Sequence, residues 1–268
     1  MNHSPTHVLT IAGSDCSGGA GIQADIKTIS ALGSFAASVI TAVTAQNSLG
    51  VQGIYPVPAE MVDRQIRSVM DDLRPDTVKI GMVCNHTIVS AIASCLDKYH
   101  PRWVVFDPVM VSTVGHHLMT EDILASIRRE LLSRASIVTP NLHEARILCE
   151  REIRHTEDMA KNAQTLAETY GCSVLIKGGH LEERDMCDVL YDRHTRSIHC
   201  FRAPKIKTCN LHGTGCTLSS AIATKLSQGL PLVTAVAEAK AYVTRAIHAA
   251  KDMHFGSGYG PLWHFQEE

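Results

Sequence analysis

Short apolar runs alternate with amphipathic stretches along almost the whole chain, and this alternation restricts the fold more than any other feature. The runs His7–Ala12, Ala36–Val43, Thr77–Ile80, Trp103–Phe106, Ser136–Thr139 and Ser173–Ile176 have the length and aliphatic content of buried strands. Between them apolar residues return at helical spacing, as in Ile22, Ile26, Ile29 and Leu32, which Gly33 follows as a C-cap. Met61, Val62, Ile66, Val69, Met70 and Leu73 mark a second helix, ended at Arg74-Pro75. Further helices are predicted near Thr87–Tyr99 and Ile123–Leu132, and two helical stretches precede Ser173. Strands that are apolar on both faces and alternate with helices predict an α/β fold: a mostly parallel sheet flanked by helices.

The C-terminal half adds detail. Asp188–Asp192 and Ser197–Phe201 are predicted to pair across the polar turn Arg193-His194-Thr195. Thr214–Gln228 is a small-residue helix, and Leu232, Val236, Ala239, Val243 and Ile247 form the stripe of another. Gly256–Pro261 is predicted to be a surface loop. No linker or repeat interrupts the pattern, so one domain is expected over residues 1–268.

Charge and composition exclude several classes of function. The net charge is −2 with no Lys/Arg stripe, so no nucleic-acid partner is expected. No apolar run approaches the roughly 18 residues needed to span a bilayer, and the N-terminus lacks a basic leader. No membrane association and a cytoplasmic location are therefore expected. The nine cysteines include no Cys-x-x-Cys pair. His3 and His7 are four apart, but Pro5 between them argues against a helical metal pair, and His116-His117 reads as surface loop.

Ligands of open α/β sheets lie beyond the carboxyl ends of the strands, so the segments after each run carry the candidates. His212-Gly213-Thr214-Gly215-Cys216-Thr217 opens an apolar helix. Two glycines let amide N–H groups converge where the helix dipole is positive, which suits a phosphate. A plain glycine turn is the equal alternative. Cys216, in the first helical turn, is expected to have a lowered pKa and to act as base or nucleophile, unless it is only a buried structural thiol.

Gly13-Ser14-Asp15-Cys16-Ser17-Gly18-Gly19-Ala20-Gly21 lacks the Gly-Lys-Ser/Thr ending of a P-loop and the spacing of a dinucleotide fingerprint. Its small residues, Gly13 first, can let a substrate ring lie against backbone. Asp25 follows in the helix, either as a hydrogen-bond acceptor for substrate or as a solvated acid. Asn141 and Glu144 share one helix face, either to organise a magnesium ion or to form a capping box. Lys177, before Gly178-Gly179-His180, suits an anionic phosphate or a solvated turn. Met82 and Val109 can wall an aromatic substrate or belong to the core.

Taken together, GSDCSGGAGIQADIKT, ITAVTAQNS, KIGMV, DPVM, TPNLHEA, KGGH and HGTGCTLSSAIA run in order from residue 13 to residue 223. The chain resembles the hydroxymethylpyrimidine kinase/phosphomethylpyrimidine kinase family of the ribokinase-like superfamily. The resemblance implies a ribokinase-like three-layer α/β/α sandwich. It implies ATP-dependent phosphorylation of 4-amino-5-hydroxymethyl-2-methylpyrimidine to its monophosphate and then its pyrophosphate, for thiamin biosynthesis. Asp25 and Gln46 would hydrogen-bond the aminopyrimidine, with Met82 and Val109 packed on it and Gly13 beneath. Gly213, Thr214 and Gly215 would form the anion hole, and Cys216 would stand as the base. Lys177 and Asn141 would meet ATP, and Asn141 with Glu144 would organise Mg2+. A homodimer is implied, with no second enzyme fused. Two positions depart from the pattern: Val111, in Val111–Gly115, replaces a usual serine, and Cys209 stands where lysine is common. The competing readings are a pyridoxal/pyridoxine kinase and a non-catalytic vitamer-binding protein.

Overall fold

A computed structural model describes residues 5–110, 120–179 and 185–265. Val111–Gly115, His116-His117, His3 and His180 lie outside the described residues. Nine strands form one sheet in the order β3-β2-β1-β4-β5-β6-β7-β8-β9. They are β1 (His7–Asp15), β2 (Phe35–Asn47), β3 (Gly50–Pro56), β4 (Thr77–Ile80), β5 (Trp103–Phe106), β6 (Ile137–Val138), β7 (Ser173–Ile176), β8 (Asp185–Asp192) and β9 (Ser197–Pro204). Every pairing from β2 through β7 is parallel. The outer pairings β2/β3, β7/β8 and β8/β9 are antiparallel.

The helices are α1 (Gly21–Ala31), α2 (Ala59–Asp72), α3 (His86–Tyr99), α4 (Glu121–Glu130), α5 (Leu142–Cys149), α6 (Thr156–Tyr170), α7 (Thr214–Ser227) and α8 (Leu232–Ala250). Alternating strand residues feed two cores. Val104 and Phe106 face α2–α6, while Val105 between them faces α1, α7 and α8; Val174, Leu175 and Ile176 divide in the same way. Three layers result, as expected of a ribokinase-like α/β/α sandwich. Thr217–Thr224 of α7 are all buried, because small side chains let this helix lie close on β1, β4 and β5.

Two features beyond the sequence expectation bear on the site. The β2–β3 hairpin was not anticipated: β2 continues to Asn47, and β3 runs back along it as an edge strand whose residues are mostly exposed. Gly256–Pro261 is a largely exposed loop, as expected, but it is tied down at two points. Tyr259 donates its N–H to the Ser48 carbonyl at 2.9 Å, and the Gly260 carbonyl accepts from the His212 amide at 3.0 Å. Leu262 and His264 are buried, so the tail ties the hairpin turn to the loop before α7.

Candidate active site

The carboxyl ends of β1, β4, β5, β6 and β7 all open onto one cleft of about 850 Å3. At one end it is lined by Gly13, Gln46, Ile54, Met82 and Val109. The N-terminus of α7 forms its floor with Gly213–Cys216. Asn141, Glu144 and Lys177 stand on the far side of that floor. Beyond them an apolar slot is walled by Ala203, Pro204, Ile206, Leu218, Val243 and Ile247.

Close packing of two loops builds the floor. Gly213 caps α7 at φ +84°, and a Cβ there would stand 1.9 Å from the Gly19 carbonyl oxygen. Glycine is therefore required twice, for its backbone angle and for the contact. Asp15 secures the other loop. Its Oδ1 accepts from the Ser17 amide at 2.9 Å and hydroxyl at 2.7 Å, and its Oδ2 from the amides of Gly19 at 3.1 Å and Ala20 at 2.8 Å. His212 Nε2 lies 2.9 Å from Asp15 Oδ2 and 3.0 Å from Gln46 Nε2. Burial acts to raise the Asp15 carboxyl, but the hydrogen bonds from His212 and Ser17 outweigh it and hold the pKa down to about 2. Asp15 and His212 thus organise the site, a role the sequence reading did not give them. A signal was present: an acid at the start of a glycine-rich loop and a histidine beside a glycine helix cap.

The pyrimidine-facing candidates divide. Gln46, Met82 and Val109 line the cleft. Gly13 lacks the Cβ that would lie 2.4 Å from Met82 Cε. The register shifts in β2 opposite Gly13 and in β3 opposite Ala45 and Gln46. Asp25 does not join them. Its side chain is 0 % exposed and turned under α7. It accepts from Thr10 at 2.5 Å, from Ser220 at 2.7 Å and from Lys79 at 2.8 and 2.9 Å. These donors occupy the carboxylate, and the expected hydrogen bond to substrate is corrected to a role inside the fold.

Cys216 stands half-buried at the floor, but the expectation of a lowered pKa does not hold. Burial pushes the thiol up to about 11. The charge of Lys79 works against that rise, and the carboxylates of Asp25 and Asp107 add to it. Desolvation of the thiolate therefore exceeds the lowering by Lys79 and by the Gly21 backbone.

On the phosphate side, Lys177 donates to Asp107 Oδ1 at 2.6 Å. Thr139 donates to the same oxygen at 3.1 Å. Burial acts to lower the Lys177 pKa, yet Asp107 and Glu144 keep it above the ordinary lysine value. Asn141 and Glu144 do form the capping box: Asn141 Oδ1 accepts from the Glu144 amide at 3.0 Å, and Glu144 Oε2 from the Asn141 amide at 2.7 Å. Burial raises the Glu144 pKa to about 7; Lys177 opposes this and Asp107 adds to it. Among the described residues no three His, Cys, Asp or Glu side chains gather as a metal cage. This donor set fits magnesium carried in on nucleotide phosphates, which needs only one or two carboxylates from protein.

The family described as phosphomethylpyrimidine kinase matches residues 15–263. The chain is 49 % identical over 258 residues to the hydroxymethylpyrimidine/phosphomethylpyrimidine kinase of Rhizobium meliloti, covering 96 % of each chain. It resembles the crystal structure of a phosphomethylpyrimidine kinase from Clostridium difficile at 39 % identity and a TM-score of 0.81, covering 90 % of this chain and 99 % of that one. The pyridoxal kinase of Staphylococcus aureus, solved with AMP-PCP and pyridoxal, matches at 30 % identity and a TM-score of 0.88, covering 98 % and 94 %. The chain belongs to the phosphomethylpyrimidine kinase family.

Proposed function

We propose that this member of the phosphomethylpyrimidine kinase family uses ATP to phosphorylate 4-amino-5-hydroxymethyl-2-methylpyrimidine, first to the monophosphate and then to the pyrophosphate, in thiamin biosynthesis. The observation that carries this reading is the shared cleft. The α7 N-terminus stands between a ring-sized end lined by Gln46, Met82 and Val109 and a cation end at Lys177. One domain spanning residues 1–268 performs both steps.

Gln46 reads the ring edge, Met82 and Val109 cover its faces, and Gly13 leaves room beneath. The apolar slot between β9 and α8 receives adenine. The substrate hydroxyl oxygen then faces the terminal phosphate across Gly213–Gly215, whose amides stabilise the charge spread over the transferring group. Cys216, as the thiolate, takes the hydroxyl proton as the new O–P bond forms and the bond from Pγ to the ADP oxygen breaks. Lys177 moves from Asp107 to the phosphates. Mg2+ held near Asn141 and Glu144 would neutralise phosphate charge when bound. In the second step the nucleophile is a phosphate oxygen that already carries charge, so no proton has to be removed.

An apolar edge supports a homodimer: Leu49 and Tyr55 of the β2–β3 hairpin are exposed, Tyr55 to 72 %. Sedimentation of the purified protein checks this, and a monomer at micromolar concentration removes that part of the reading. ATP use and nine free cysteines fit the cytoplasm. Among the described residues no helix is long and apolar enough to cross a membrane.

Product mass analysis with the pyrimidine, ATP and Mg2+ is the test. Successive gain of two phosphates is expected. Higher kcat/KM on pyridoxal, the substrate named for structural relatives, would overturn the choice of ring. Binding of either ring without release of ADP would show a vitamer-binding protein instead.

A further inference from the structure

One fully buried charge takes no part in the steps above. Lys79 on β4 and Asp25 on α1 are both 0 % exposed. The ammonium donates to both carboxylate oxygens, at 2.8 and 2.9 Å, while Thr10 and Ser220 donate to the same group. Backbone has been cleared for it: a Cβ at Gly81 would stand 2.8 Å from Lys79 Nζ. A sealed ion pair is a poor source of stability, because desolvation offsets most of the attraction and an apolar pair of the same size frequently does as well. Its position gives a different reason for its presence.

Ser220 lies four residues beyond Cys216, so the two side chains share one face of α7. Ser220 bonds directly to Asp25 at 2.7 Å, which places the ion pair beneath the face that carries the sulfur. The charged groups facing the thiol are Lys79 from β4, Asp25 from α1 and Asp107 from the end of β5. Lys177, from the end of β7, is bound to Asp107 at 2.6 Å. Of these, Lys79 is the cation that acts most strongly on Cys216, in the direction opposite to burial and the two carboxylates. In return, burial acts to lower the Lys79 pKa, but Asp25, Cys216 and Asp107 hold it above the ordinary value.

We propose that Lys79, clamped by Asp25, is a positioning residue for the first phosphoryl transfer: its ammonium is the fixed positive charge beneath the Cys216 sulfur that offsets part of the cost of burying the thiolate. This rests on the reading of Cys216 as the base. The thiolate accepts the hydroxyl proton and becomes a thiol, the O–P bond forms, ADP leaves, and Lys79 keeps its proton throughout. The monophosphate needs no deprotonation, so Lys79 matters to the first transfer and little to the second.

The test follows alkylation of Cys216 by iodoacetamide, in the absence of ligands, with the Cys216 peptide quantified by mass from about pH 6 to pH 11. Lys79→Met is expected to move the profile upward by about one pH unit, a tenfold slower reaction at a given pH below the midpoint. Asp25→Asn is expected to move it downward. Shifts of opposite sign show that both charges of the pair reach the sulfur, which a change in packing alone does not give. Profiles that superimpose on the wild type, or shift in the same direction, in folded proteins overturn the proposal. Should Lys79→Met fail to fold, the charge-neutral double variant with Asp25→Asn replaces it. A smaller upward shift is expected there, and an unchanged or downward profile overturns the proposal. In kinetics, Lys79→Met is expected to slow the first transfer about tenfold more than the second. A wild type that leaves the pyrimidine unphosphorylated would defeat the functional reading, while the thiol titration would still decide the role of Lys79.

Discussion

Two lysine–aspartate pairs flank the start of α7, and they differ in one respect. Lys79–Asp25 is sealed, with both side chains 0 % exposed, whereas Lys177–Asp107 opens to the cleft through a lysine that is 15 % exposed. The sealed pair cannot exchange partners, because Thr10 and Ser220 complete the shell around Asp25. It sets a constant field. The open pair keeps its cation within reach of the cleft, which is the basis for proposing that a phosphate takes over from Asp107. Identical residue types thus form a closed pair in one place and an open pair in the other, and solvent access makes the difference.

The largest expected effect separates them by stability. Lys79→Met leaves a buried carboxylate without its counter-charge, at a cost of about 3–5 kcal/mol, and should lower Tm by roughly 10 °C in a scanning calorimeter. Lys177→Met should shift Tm by only a few degrees, yet reduce kcat about 100-fold, because a phosphate contact made in the transition state is lost. Equal losses of stability in the two variants would break the comparison.

Gly213→Ala tests the floor between the pairs. The added Cβ meets the Gly19 carbonyl and the backbone is held at φ +84°. A loss of kcat on the order of 100-fold is expected, with KM for the pyrimidine changing little. Wild-type turnover would show that the amides of this turn do not face the transferring group.

The pH dependence sharpens the same contrast. With the Cys216 thiol at about 11, the thiolate fraction increases tenfold per pH unit below that value. The rate of the first transfer should rise with pH between about 7 and 9, while the second transfer, which needs no base, stays flatter. Parallel profiles for both transfers would remove the thiolate from the mechanism.

The smallest effect lies in the tail that braces this floor. His264, bonded to Thr217 at 3.0 Å, has its pKa lowered to about 4, chiefly by burial and also by the charge of Lys27. Below the unfolded value near 6.5 the unfolded chain takes up a proton that the folded chain refuses. The contribution is present above pH 6.5 and declines as pH falls toward 4, by at most about 3 kcal/mol. His264→Gln should flatten Tm against pH across that window. An unchanged slope would show that this ring does not carry it.

Much of this architecture was legible in the sequence. β4, β5 and β7 fall where their apolar runs predict, because strands buried on both faces admit little else. The glycine cap of α7 was visible because a left-handed turn packed against backbone admits little but glycine. β3 was hidden, because its residues are largely exposed and alternate weakly. Gly256–Pro261 is the loop that its glycines predict, but its bonds to Ser48 and His212 were hidden, because they join it to residues remote in sequence.

Sequence alone determined the layer order, the strand ends that carry polar residues, and the family to which those motifs belong. All of these are local or periodic properties of the chain. Only tertiary structure decided which charges meet: that Asp25 turns inward to Lys79, that Asp15 holds His212 from the far end of the chain, and that Cys216 is desolvated more strongly than Lys79 can offset. Whether a carboxylate serves substrate, loop or core depends on its distance to partners remote in sequence and on its access to water, and those quantities exist only once the chain is packed.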